Sequence, residues 1–204
     1  MVRTANLERP LELLDAIGAY LVKHGLADLS LRPLARAVGT SPRVLLYYFG
    51  SKEELIIQTL AHIRENQQAD FDRMPNSPGD HPSGINLLAW KYLSSPEFEP
   101  HFRLFLEAYS LSLRQPKKFS AYLRHTVHDW LDVIAKPLHA QGYSARETQD
   151  FSTIALATLR GFMLDYFASR NRARLDHAVK FWLESLDSIL QTRAQRAHPS
   201  KSYD

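Results

Sequence analysis

Apolar positions recur every three or four residues along nearly the whole chain, and no stretch alternates with the period of two that marks a strand. Leu14, Ile17, Gly18 and Leu21 lie on one stripe, which predicts a first helix from about Pro10 to His24 with Gly25 as its stop. Ser30 is the expected N-cap of a short second helix over 31–38. Pro33 is tolerated in its first turn, where N–H groups have no intrahelical partner. Gly39 allows the left-handed turn that ends this helix, and Ser41-Pro42 then reads as an N-cap followed by a first-turn proline. The third helix runs to about Tyr48, Gly50 breaks it, and Ser51 to Glu54 forms a capping box opening a fourth helix toward Phe71.

Past that point, Met74 to Gly84 holds three prolines and two glycines and reads as a loop. Further helical patterns follow at about 85–93, 100–114, 118–139, 147–169 and 174–193, and Ser144 to Glu147 is a second capping box. The last dozen residues read as a frayed, flexible tail. The expected fold is all-α with about nine helices. The expected division is 1–52 as an N-terminal three-helix domain, 53–193 as a larger helical domain with 53–73 as connecting helix, and 194–204 as tail.

Composition narrows the class. A chain of 204 residues is long enough to bury a sizeable core. It has no cysteine, which excludes disulfides and thiolate metal sites and fits a reducing cytoplasm. The N-terminus shows no signal-peptide pattern and no run is apolar enough to span a bilayer, so a cytoplasmic protein without membrane partners is expected. The net charge is +3, and all of it falls in residues 1–52, which carry seven Lys/Arg against four acids. The remainder balances at 18 of each sign. A basic first quarter is expected of a segment facing a polyanion.

Two short helices separated by Gly39-Thr40-Ser41 have helix-turn-helix spacing, in which the second helix enters the DNA major groove. Its chemistry suits the task. Ser41 can donate to a phosphate, Arg43 offers a fork to guanine edges or phosphates, and Val44, after Pro42, can touch a thymine methyl. The Tyr47 and Tyr48 hydroxyls can reach phosphate oxygens. Lys52, in the first turn of the fourth helix, also favours a phosphate, and Arg32 and Ser30 open the second helix within reach of the same duplex. Leu45 and Phe49 are expected to pack inward, with Tyr47 and Tyr48 partly outward. The alternative is that the aromatics are core and Arg43 a solvated charge.

The run LSLRPLARAVGTSPRVLLYYFGSKEELI resembles the DNA-binding segment of the tetracycline-repressor (TetR) family through Ser30, Ala35, Gly39, Leu45, Tyr48, Phe49, Ser51, Lys52, Glu53 and Leu55. The resemblance covers about residues 10–60. It implies a ligand-responsive transcriptional regulator, most often a repressor, that binds a near-palindromic DNA operator as a homodimer and is released by a small-molecule effector. It also implies phosphate contacts from Tyr48 and Lys52, and base or phosphate contacts from Arg32 and Arg43. Leu46 departs from the pattern where the family often has tyrosine. A phosphate contact from there is absent or passes to Tyr47.

In the larger domain, the helix at 147–169 is apolar almost all round, and that at 174–193 carries a cleaner stripe. Pairing with a second copy through Phe151, Leu159, Phe167, Leu175, Val179, Trp182, Leu186 and Ile189 accounts for both, and a purely internal helix pair is the alternative. Trp90, Phe102, Phe105, Tyr109, Tyr122, Trp130 and Phe162 form a heavy aromatic load, read either as core or as the lining for a largely hydrophobic or aromatic effector. His125, His128, Asp129 and Asp132 share a polar helix face opposite Phe119, Tyr122 and Ile134, which reads as solvated rather than metal-binding. No cofactor is expected. The chain has no phosphate-cradling Gly-rich loop, H-E-x-x-H or G-x-S-x-G, so no enzyme class is indicated. A helical interaction module without DNA binding is the remaining rival.

Overall fold

The computed structural model describes residues 8–73 and 87–197. Among these residues the chain forms nine helices and no strand. They are α1 (Glu8–His24), α2 (Leu31–Ala37), α3 (Pro42–Phe49), α4 (Lys52–Asp72), α5 (Leu87–Leu93), α6 (Glu99–Arg114), α7 (Pro116–Ala140), α8 (Ala145–Ser169) and α9 (Arg172–Ala197). The loop expected at Met74–Gly84 lies outside the described residues. The final helix continues to Ala197, past the point where a tail was expected to begin at 194, and the rest of that tail lies outside the described residues.

Local chemistry explains most boundaries. Ser41 Oγ accepts from the Val44 amide at 3.3 Å and starts α3, and Ser51 Oγ accepts from the Glu54 amide at 3.1 Å and starts α4. At α8 the full reciprocal box forms between Ser144 and Glu147. Ser30 differs from expectation. It holds the extended N-cap position of α2, but its hydroxyl makes no capping bond, and its carbonyl alone accepts, from the Leu34 amide.

The chain divides into two compact units. One is built on α1 to α4, α6 and the first part of α7, so the boundary expected at residue 52 falls inside it. Leu13, Ile17 and Leu21 of α1 meet Leu34, Leu45, Phe49, Leu55 and Leu60 there, and Leu104 and Ala108 of α6 with Phe119 and Tyr122 of α7 complete the core. Gly18 lets α1 and α4 come close, because a Cβ there would stand 3.3 Å from Ile63.

The other unit comprises α5, the rest of α7, α8 and α9. Leu138, Phe151, Leu186 and Leu190 form one buried cluster in it, with Tyr143 and Trp182 packed alongside. Trp90 of α5 is buried, and its indole Nε1 donates to Asp176 Oδ1 of α9 at 2.6 Å, as a buried indole requires.

Candidate functional site

In α3, Leu45 and Phe49 are buried one turn apart and anchor the helix on the core. At 100° per residue, Arg43 and Tyr47 stand one turn apart on the opposite side. Both are exposed, Tyr47 to 81%. The Tyr47 ring meets Tyr48 edge-on, with centroids 5.2 Å apart, so Tyr48 buttresses it while staying partly accessible. Leu46 is 39% exposed beside this face, an apolar side chain at the position where the family pattern has a phenol.

Around α3, Arg32, Arg36 and Ser41 are exposed, Pro42 and Val44 half-buried, and Ser30 exposed at the start of α2. Arg36 stands one turn after Arg32 and was not singled out from sequence, although the i, i+4 spacing was visible. The Ser41 hydroxyl oxygen is engaged as a cap, which leaves its O–H free to donate. Lys52 opens α4, as expected, and also makes a bond within the chain. Its ammonium donates to the Leu29 carbonyl ahead of α2, so it braces the α1–α2 connection and keeps two further N–H groups for another acceptor. Its neighbour Glu53 accepts from Lys118 Nζ at 3.1 Å, and that hydrogen bond holds the Glu53 carboxyl below its ordinary range.

The aromatic residues expected to line one effector site fall into separate sets. In the first unit Phe102 and Phe105 stack at 5.7 Å and Phe105 meets Tyr109 at 5.5 Å, while Tyr122 is part of the buried core. In the second unit Phe162 lies between Trp90 at 6.1 Å and Trp182 at 5.8 Å, and Tyr166 also meets Trp90 at 6.0 Å. Trp130 is half-buried in that unit. On α8, Thr148 Oγ1 and Ser152 Oγ are buried one turn apart without a hydrogen-bond partner. The buried hydroxyls of Thr59, Ser94 and Ser112 each donate to the carbonyl four residues earlier, so these two are unlike their counterparts.

The residues expected to meet a second copy divide as well. Phe151, Leu159, Leu175, Val179 and Leu186 are buried within the chain itself, Val179 completely, because α8 and α9 use that stripe to cover their own unit. Phe167 and Trp182 are half-buried, and Ile189 is exposed. A different stripe faces outward. Ile154, Ala157, Gly161, Leu164 and Ala168 of α8 are all exposed at alternating three- and four-residue spacing, and Phe181 and Ile189 of α9 are exposed eight residues apart. Of the candidate metal face on α7, His125, His128 and Asp132 are exposed. No cluster of three or more His, Asp or Glu able to hold a metal is present among the described residues. No helix among them is long and apolar enough to cross a membrane.

Residues 13–59 match the family described as bacterial regulatory proteins, tetR family. The HTH-type transcriptional regulator BetI of Brucella canis is 29% identical over 77 residues, which are 36% of this chain and 39% of that protein. The matched region thus spans well under half the length of this curated relative. Two solved structures share the fold over most of both chains. A transcriptional regulator from Rhodococcus sp. Rha1 has a TM-score of 0.69 at 18% identity, covering 87% of this chain and 95% of its own. A regulator from Saccharomonospora viridis in complex with choline has a TM-score of 0.60 at 16% identity, covering 90% and 96%.

Proposed function

We propose that this chain is a member of the TetR family of bacterial regulatory proteins, whose pattern residues 13–59 match, and a cytoplasmic DNA-binding regulator acting as a repressor released by a small-molecule effector. One observation carries the reading. Burial of Leu45 and Phe49 commits one side of α3 to the core and turns Arg43 and Tyr47 outward together, giving a helix face with a guanidinium fork and a phenol for a duplex. Arg32, Arg36 and the Ser41 hydroxyl extend that face to neighbouring phosphates. Tyr48 and Lys52 contribute at its edge, Lys52 with the N–H groups not held by Leu29.

Binding as a homodimer presents two such faces to a near-palindromic operator. The stripe of Ile154, Ala157, Gly161, Leu164 and Ala168, with Phe181 and with Ile189 from the stripe read from sequence, suits the second copy better than the buried rest of that stripe. It is apolar or small along its length, and it stays exposed among the described residues. The effector is a small organic molecule, largely apolar or aromatic, that packs on the Trp90–Phe162–Tyr166–Trp182 rings.

The test is binding to duplex DNA across a salt series. Arg43→Ala is expected to weaken binding and to make the slope of log affinity against log salt shallower by about one phosphate equivalent if Arg43 meets a phosphate, or to relax preference at one base if it meets a guanine. A chain that binds no duplex at low salt, or an Arg43→Ala variant that leaves affinity, slope and preference unchanged, removes the support for this reading.

A further inference from the structure

The connection between α1 and α2 is held from two sides by residues far away in the chain. Gly25 closes α1, its amide donating to the Leu21 carbonyl at 2.8 Å, and its φ of +74° turns the next amide away from the helix. That amide, of Leu26, donates to Glu107 Oε2 of α6 at 2.6 Å. The carboxylate sits so close over the turn that a Cβ on Gly25 would stand 2.7 and 2.8 Å from its two oxygens. At the other end of the connection, the Leu29 carbonyl accepts from Lys52 of α4. Leu26 and Leu29 are both buried, and Ser30 and α2 follow directly.

Helix electrostatics do not account for this carboxylate. It stands at the C-terminal end of α1, where the helix dipole disfavours an anion, so its place there rests on the one amide it accepts from. We propose that Glu107 is a positioning residue for DNA binding: as a latch on the Leu26 amide it fixes the α1–α2 turn and hence the setting of the α2–α3 pair. The helix that carries it is anchored on the same core, through Leu104, Ala108 and Leu111 beside α1.

This inference rests on the DNA-binding reading, and the experiment separates the two. The probe is a duplex enriched from a random-sequence pool by the wild-type chain, and the second readout is hydrogen exchange of the Leu26 amide measured by NMR without DNA. Glu107→Ala is expected to lose Leu26 protection and to weaken duplex binding roughly tenfold, in line with loss of a charge-assisted hydrogen bond. Glu107→Gln keeps an acceptor oxygen and is expected to stay within about threefold of wild type on both readouts. Glu107→Asp, which withdraws the carboxylate by one methylene, gives a milder form of the alanine result if alanine prevents folding. Leu26 protection unchanged in Glu107→Ala and Glu107→Asp overturns the latch. Lost protection with unchanged duplex affinity overturns the positioning role, as does equal loss in the alanine and glutamine variants. A wild-type chain that enriches no duplex overturns the DNA-binding reading itself, and the positioning role falls with it.

Discussion

Leu45 shows how one buried residue sets which side of a helix faces outward. It is fully buried at the centre of α3, and its burial is what turns Arg43 and Tyr47 outward. Leu45→Ala is expected to destabilise the fold by about 2–5 kcal/mol, combining lost transfer energy with the cavity left behind. A denaturant midpoint within error of wild type would sink the claim that Leu45 anchors the helix. Leu46, its neighbour, is a third exposed although apolar, and no core packing compels it. The Tyr47 phenol is the more exposed of the two, at 81%, and the contact expected of a tyrosine at 46 is either absent or passed to it. The place of Lys52 at a helix start favours a phosphate, and no local rule reveals its bond to Leu29, 23 residues away.

At the scale of elements, the tie between the starts of α4 and α7 is the clearest electrostatic contact to test. Lys118 lowers the Glu53 pKa, so the pair stabilises the folded state above the unfolded carboxyl value of about 4.3 and loses that contribution as pH falls through the lower folded value. Both side chains are well exposed, at 57% and 42%, so solvent screening limits the effect to at most about 1 kcal/mol. Lys118→Gln is therefore expected to be slightly less stable than wild type in urea at pH 7. The difference is expected to narrow as the pH falls through the lowered Glu53 value, where the carboxylate takes up its proton. A deficit that stayed constant as the pH fell would point to packing of the lysine stem instead. The caps were legible because they act over three residues. The Ser41, Ser51 and Ser144 hydroxyls each accept the amide that the sequence spacing predicts, whereas Ser30 shows that a suitable residue at the position need not make the bond.

At the scale of the whole molecule, the outward stripe on α8 and α9 is the surface proposed to meet a second copy. Phe181 is 72% exposed on α9, an unusual place for a large aromatic side chain unless something covers it. Phe181→Glu is expected to shift the protein from dimer to monomer in sedimentation or light scattering, with the helical signal retained. Because paired reading heads bind two half-sites together, the monomer is also expected to lose operator affinity by more than tenfold. Leu186→Glu, on the stripe first expected to meet the partner, is expected instead to unfold the chain, since that side chain is buried within it. A Phe181→Glu variant that stays dimeric at micromolar concentration would remove this surface from the account.

What the sequence determined by itself is everything set within a few residues. The 3.6-residue repeat gave the helices, serine and glycine gave their ends, and the inward turn of Leu45 and Phe49 gave α3 its two faces. The fold class and the inward and outward sides of α3 were legible for that reason. Tertiary structure alone decided which partner each apolar face received, because periodicity marks a face for burial without naming what buries it. Leu175, Val179 and Leu186 therefore went to the chain's own interior, while Ile154, Leu164 and Phe181 stayed outside. The aromatic residues that looked like one lining were divided between two units, and Glu107 met Leu26 across 81 residues of chain. Such contacts depend on how helices dock, and residues far apart in sequence carry no local mark of meeting.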